Sequence, residues 1–136
     1  MTAFAGTDGR NWDGSLTTPT AATGTVTYNP SSIDANGVAT WYAANSIIDA
    51  RKRLSMSVRQ PSKGSQVARV QVKLMHPVMD TVDTSLKIGE CLVNVECVFP
   101  KVSTQAQRDL LIGHLIYFLN DGAEFAAAVD NLEAVY

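Results

Sequence analysis

Arg53-Leu54-Ser55-Met56-Ser57-Val58-Arg59 and Arg69-Val70-Gln71-Val72-Lys73-Leu74 alternate polar and apolar residues without a break. A strand turns successive side chains to opposite faces, so each run sorts into two sets. Arg53, Ser55, Ser57, Arg59, Arg69, Gln71 and Lys73 share one face; Leu54, Met56, Val58, Val70, Val72 and Leu74 share the other. Between the runs, Gln60-Pro61-Ser62-Lys63-Gly64-Ser65 has the composition of a hairpin connection, which predicts two antiparallel neighbours.

The polar face is unusual in its charge. Residues 50–79 hold seven of the chain's eleven Lys and Arg residues and no Asp or Glu. Lys, Arg, Ser and Gln are ordinary residues on the solvated side of an antiparallel sheet. A face shaped for solubility alone, however, mixes charges of both signs. Because the net charge is only −2, any polyanion must be met by local segregation of charge, and this face provides it. Nucleic acid is the commonest large anion for such a surface.

Outward from this pair, Thr25-Val26-Thr27-Tyr28 reads as a strand ended by Asn29-Pro30, Asn36-Gly37 as a turn, and Val38 to Tyr42 as the next strand. After the basic runs, His76 to Ile88 reads as a long loop, a feature that is usually functional in a compact domain. Glu90 to Phe99 alternates again. Cys91, Val93, Val95, Cys97 and Phe99 make its apolar face, and Leu92, Asn94, Glu96 and Val98 the other. At Thr104 the period changes. Thr104-Gln105-Ala106-Gln107 fits a capping box, followed by a helix to about Asp121, a stop at Asp121-Gly122, and a second helix over residues 123–131. Apolar residues cover most of the first helix's circumference, more than one sheet face can bury. A second protein surface is therefore expected, most simply from a homodimer.

Length fits a single domain over 1–136, and an apolar fraction of 46% with 18% charge suits a folded chain rather than a disordered one. Met1 to Gly14 has neither the basic start nor the apolar core of a signal peptide. The longest apolar run, Leu110 to Leu119, is interrupted by His114 and too short to span a bilayer, so no membrane partner is expected. Cys91 and Cys97 lie in one predicted strand, roughly 20 Å apart at about 3.3 Å per residue. They are too far apart for a mutual disulfide and are expected to be free, mostly buried thiols. His76 and His114 are isolated and read as structural, and no ligand spacing points to a metal or cofactor. Trp12 and Trp41 read as core or dimer-edge aromatics. No nucleophile–base pair or phosphate-cradling glycine loop is present, and Asp80 and Asp83 read as solvated loop acids, so an enzyme is not expected.

Asn36-Gly37-Val38-Ala39-Thr40-Trp41, Ser57-Val58-Arg59-Gln60-Pro61-Ser62, Arg69-Val70-Gln71-Val72-Lys73 and Phe118-Leu119-Asn120-Asp121-Gly122, in this order and with Tyr136 at the carboxy terminus, resemble the coat proteins of single-stranded RNA bacteriophages, the leviviruses. The resemblance covers nearly all of the chain beyond residue 25. It implies an α+β fold: an amino-terminal β-hairpin, a five-stranded antiparallel sheet and two carboxy-terminal helices, interlocked with a second copy as a homodimer. Such dimers build an icosahedral shell with the polar sheet face turned to the genome. The implied partners are therefore the chain itself, genomic RNA and the phage maturation protein. The implied locations are the virion and, during assembly, the host bacterial cytoplasm.

The resemblance also implies binding of an RNA hairpin that represses replicase translation. Position by position, the contacts fall on Val38, Arg53, Ser55, Ser57, Arg59, Ser62, Ser65, Arg69, Gln71, Asn94 and Glu96, with Lys73 on the same face. Arg and Lys neutralise phosphate, while Ser and Gln read unpaired base edges. Val38 would pack against a splayed adenine. This chain departs from the pattern at Leu92, where relatives stack a tyrosine on a loop base, and at Ser65, Val67 and Ala68, where relatives often carry Asn, Lys and Tyr. The loop after His76 would surround the shell's fivefold and quasi-sixfold axes. It has no cysteine, which excludes cross-links between neighbouring loops. A small dimeric RNA-binding module without shell assembly is the alternative reading.

Overall fold

The structure, a computed structural model, describes residues 7–10, 25–121 and 123–132. Trp12, Gly122 and Tyr136 lie outside the described residues. Val26–Lys101 belong to one compact unit and the chain from Val102 onward to another.

The first unit is a sheet whose strands follow chain order: β1 (Thr7–Arg10), β2 (Thr25–Ile33), β3 (Ala39–Ala43), β4 (Arg53–Arg59), β5 (Val67–Met79) and β6 (Lys87–Pro100). Strands β2 to β6 form the expected five-stranded antiparallel sheet. Strand β1 lies beside β2 as a sixth strand.

Three strands run further than the sequence predicts: β6 begins at Lys87 rather than Glu90, and at β2 and β5 proline is the cause of the misreading. Asn29-Pro30 does not end β2. The register shifts between Pro30 and Ser32, so the strand absorbs the proline at a bulge and continues to Ile33. Likewise His76-Pro77 does not end β5. Strand β4 stops pairing with β5 at Met75, so Pro77 sits where only β6 remains as a neighbour and one side of the strand needs no N–H donor. The predicted loop over 76–88 is therefore only Asp80–Leu86. It is tightly turned: Asp80 Oδ1 accepts from the N–H groups of Val82 and Asp83, Asp83 Oδ1 accepts from Ser85, and Asp80 N–H closes onto the Leu86 carbonyl at 2.8 Å. The two aspartates thus hold the turn as well as being solvated.

The short connections behave as their residues predict. Gly37 takes a left-handed φ of 77°, and the Asp34 carboxylate accepts from the N–H groups of Asn36 and Val38. Ser62 and Ser65 exchange backbone hydrogen bonds of 2.9 and 3.0 Å at the β4–β5 hairpin.

Tyr28, Trp41 and Ala43 are the buried hydrophobics among the described residues, with Val26, Ala39, Leu54 and Leu74 packed against them. Trp41, Leu54 and Leu74 are successive cross-strand partners, so one rung carries the centre of this cluster. The Tyr28 hydroxyl, 3% exposed as a residue, hydrogen-bonds His76 Nε2 at 2.9 Å. Desolvation first, and the charge of Lys52 second, hold the His76 pKa below its usual 6.5. The folded state therefore binds fewer protons than the unfolded chain as pH falls through this range. Stability should be complete above about pH 6.5 and decline below it, levelling off once the lowered folded value is passed. Melting temperature followed from about pH 7.5 to about pH 5 should fall more for the native chain than for His76→Gln. Parallel profiles would mean that His76 carries none of the acid sensitivity.

In the second unit, α1 (Gln105–Asp121) and α2 (Ala123–Asn131) match the predicted helices. The capping box forms reciprocally: Thr104 N–H donates to Gln107 Oε1 at 2.9 Å and Gln107 N–H to Thr104 Oγ1 at 3.3 Å. The Phe118 and Phe125 rings meet at 6.2 Å between centroids and join the two helices. Apolar side chains point outward all around α1, and Leu110, Leu111, Ile116 and Phe118 are exposed.

Candidate nucleic-acid interface

The pairing register places the predicted polar residues in cross-strand rungs on one sheet face. Ser55, Lys73 and Asn94 form one rung; Ser57, Gln71 and Glu96 form the next; Arg59 and Arg69 continue with Val98. A fourth rung runs from Arg53 through Met75 to Leu92. Val38 leads into β3 and, with Ser55, Met56, Ser57, Gln71 and Lys73, lines a shallow depression of about 90 Å³. Ser57, Arg59, Arg69, Gln71 and Glu96 line another of the same size. The two depressions share Ser57 and Gln71. Ser62 and Ser65 are not in the rungs: they stand apart, at the hairpin beyond Arg59 and Arg69.

Acid-free in the two runs that predict it, the face is not acid-free once β6 is in place. Glu96 Oε1 lies 2.6 Å from an Arg69 guanidinium nitrogen, both side chains about half exposed. Arg53, Arg59, Arg69 and Lys73 share the face with two carboxylates, Glu96 at its centre and Glu90 towards the loop, and the patch stays cationic. Gln71 Nε2 donates to Asn94 Oδ1 at 3.4 Å, a long and weak bond between two exposed amides. Towards the loop, Lys87 pairs with Glu90 at 2.9 Å and adds no net charge.

Two residues of this face escape the sequence reading. Thr40 and Tyr42 pair with Ser55 and Arg53 and share their side of the sheet. The signal is present in Ala39-Thr40-Trp41-Tyr42-Ala43: once Trp41 is placed in the core, alternation sends its neighbours to the opposite face. Leu92 is 64% exposed there, an apolar group where base stacking by an aromatic is expected of relatives.

On the other face, Val70, Val72 and Leu74 pair with Cys97, Val95 and Val93, and His76 with Cys91. Cys91 and Cys97 are both free; Cys97 is partly buried, but Cys91 is exposed rather than buried.

Among the described residues, the sheet carries a cationic, hydrogen-bonding face and an apolar face with Cys91 and Val93 exposed, and α1 carries apolar side chains around its circumference. Residues 14–136 match the family described as levivirus coat protein. The capsid protein of Enterobacteria phage SP is 32% identical over 116 residues, covering 82% of this chain and 86% of that protein. The virus-like particle protein of Beihai levi-like virus 21 superposes with a TM-score of 0.80 at 25% identity over 99% of both chains. An unassembled bacteriophage coat protein dimer, described as RNA-binding, shares the fold with a TM-score of 0.68 at 21% identity over 98% of both chains. The chain belongs to the levivirus coat protein family and is a capsid protein.

Proposed function

We propose that two copies of this chain form an interlocked dimer, that the dimers close into a shell around single-stranded RNA, and that the rungs of β4, β5 and β6 touch that RNA. One observation carries the RNA reading: Arg53, Arg59, Arg69 and Lys73 stand on a single sheet face and outnumber its carboxylates, Glu96 and the Lys87-paired Glu90. Phosphate binding needs fixed cations, and strands hold them better than loops do. The apolar face and the apolar helix supply the surface for the second copy. A hairpin bound on the Ser, Gln and Asn groups would make the same face a repressor of replicase translation.

Membership in a coat-protein family favours the shell over the RNA-binding module. Expression of the chain alone, viewed by electron microscopy, tests it: closed particles are expected, and free dimers under every assembly condition would sink the shell. For the RNA face, Arg59→Ala should reduce the slope of log affinity against log salt by about 0.7, the value for one lost contact to a single strand. Arg69→Ala should weaken binding further, because it also leaves the Glu96 carboxylate uncompensated. Unchanged salt slopes in both variants would turn this face away from RNA.

A further inference from the structure

Phosphate binding does not explain the carboxylate in the middle of the cationic face. A polyanion alone would be served better by an amide at position 96. Instead Glu96 lies directly across from Gln71, reaches diagonally to Arg69, and meets it at 2.6 Å within the depression that Ser57 and Arg59 complete. Phosphate oxygens only accept hydrogen bonds, so the carboxylate repels them from this spot and already occupies part of Arg69. A base edge is different, because it holds donors and acceptors side by side.

We propose that Arg69 and Glu96 act together as a base-reading pair, selective for the Watson–Crick edge of an unpaired guanine. The pair presents a guanidinium donor beside a carboxylate acceptor in a fixed order. Guanine presents the complement: its O6 accepts from Arg69, and its adjacent N1–H and N2–H groups donate to the carboxylate, whose oxygens keep free lone pairs beside the ion pair. No other base has two neighbouring donors on that edge. The half-exposed position leaves the pair reachable by a base turned out of a loop, the form in which RNA sequence is read. Gln71, whose amide nitrogen leans towards Asn94 at 3.4 Å, offers its carbonyl oxygen to a further donor.

This role rests on the proposed binding of RNA by the sheet face, and the test separates the two. The probe is a library of RNA hairpins with one fixed stem and a randomised loop, selected on the native dimer and on Glu96→Gln. The substitution keeps size and removes the charge at an exposed position, and sedimentation confirms the dimer in each case. The native protein should enrich loops with guanine at one position by about tenfold, in the range for a bidentate base contact. Glu96→Gln should lose that enrichment, bind a guanine-free strand more tightly, and show a salt slope steeper by about one ion. Enrichment of another base, or the same enrichment in both proteins, overturns the base-reading role while leaving RNA binding intact. No retention of any hairpin by the native dimer overturns the RNA face itself.

Discussion

Trp41→Ala should remove most of the stability of the sheet unit. Trp41 is 8% exposed at the centre of a cluster with few other buried members. It is the cross-strand partner of Pro30 and Leu54, and Leu54 in turn pairs with Leu74, so the indole lies over the middle of the sheet. Truncating a buried tryptophan costs about 3–5 kcal/mol, from lost apolar burial and from the cavity left behind. Domains hold only about 5–15 kcal/mol in total. Among the described residues the buried cluster has few other members over which to spread such a loss. The expected result is insoluble or rapidly degraded protein, with any soluble fraction unfolding at much lower urea than the native chain. Trp41→Phe should restore folding, because it keeps the ring in the rung. A Trp41→Ala dimer with a native urea midpoint would place the stabilising core elsewhere.

The polar and apolar faces of β4 and β5 were legible because alternation is strict there, and strict alternation leaves one assignment of faces once the hairpin is fixed. Both helices and their capping box were legible for the same kind of reason: local hydrogen bonding decides a helix start, and Thr104 and Gln107 carry it in four residues. Strand ends were less legible. Pro30 and Pro77 look like stops in sequence, yet each sits where the ladder tolerates a missing donor, at a bulge and at an unpaired side. That tolerance depends on which strand lies alongside, and no local pattern encodes it. The site shows the same limit. Its cations could be read from two runs, but the Arg69–Glu96 pair joins residues 27 apart and depends on the β5–β6 register. Thr40 and Tyr42 join the face only once Trp41 is known to point inward. The resemblance to coat proteins supplied the order of the elements and the list of contacts. It did not supply the ion pair.

The exposure of Val93 on the apolar face supports the second large effect, a loss of dimers in Val93→Asp. Val93 faces Leu74 on the side of the sheet away from the cations, and in the single chain it is 55% exposed. Valine suits a strand at either an exposed or a buried position, so the chain alone gives no reason against a polar residue there. The second copy supplies one. If it covers this face, an aspartate at 93 must lose its water among Leu74, Cys91 and Val95, and the diagonal His76, its pKa held below the usual value by burial, offers no charge at neutral pH. An unpaired buried charge costs several kcal/mol per ion, and a symmetric dimer incurs that cost twice. Dimers should therefore disappear in sedimentation at micromolar protein, and particles with them. Val93→Ile, which keeps the apolar surface, should assemble as the native chain does. Val82→Asp, on the exposed tip of the β5–β6 loop, places the same charge away from this face and should leave the dimer intact. Lowering the pH should partly restore Val93→Asp, because a protonated carboxyl is far cheaper to bury than a carboxylate. Native sedimentation by Val93→Asp at neutral pH would mean that the second copy leaves this face open, and the surface that holds the dimer together would then have to be sought on the helices alone.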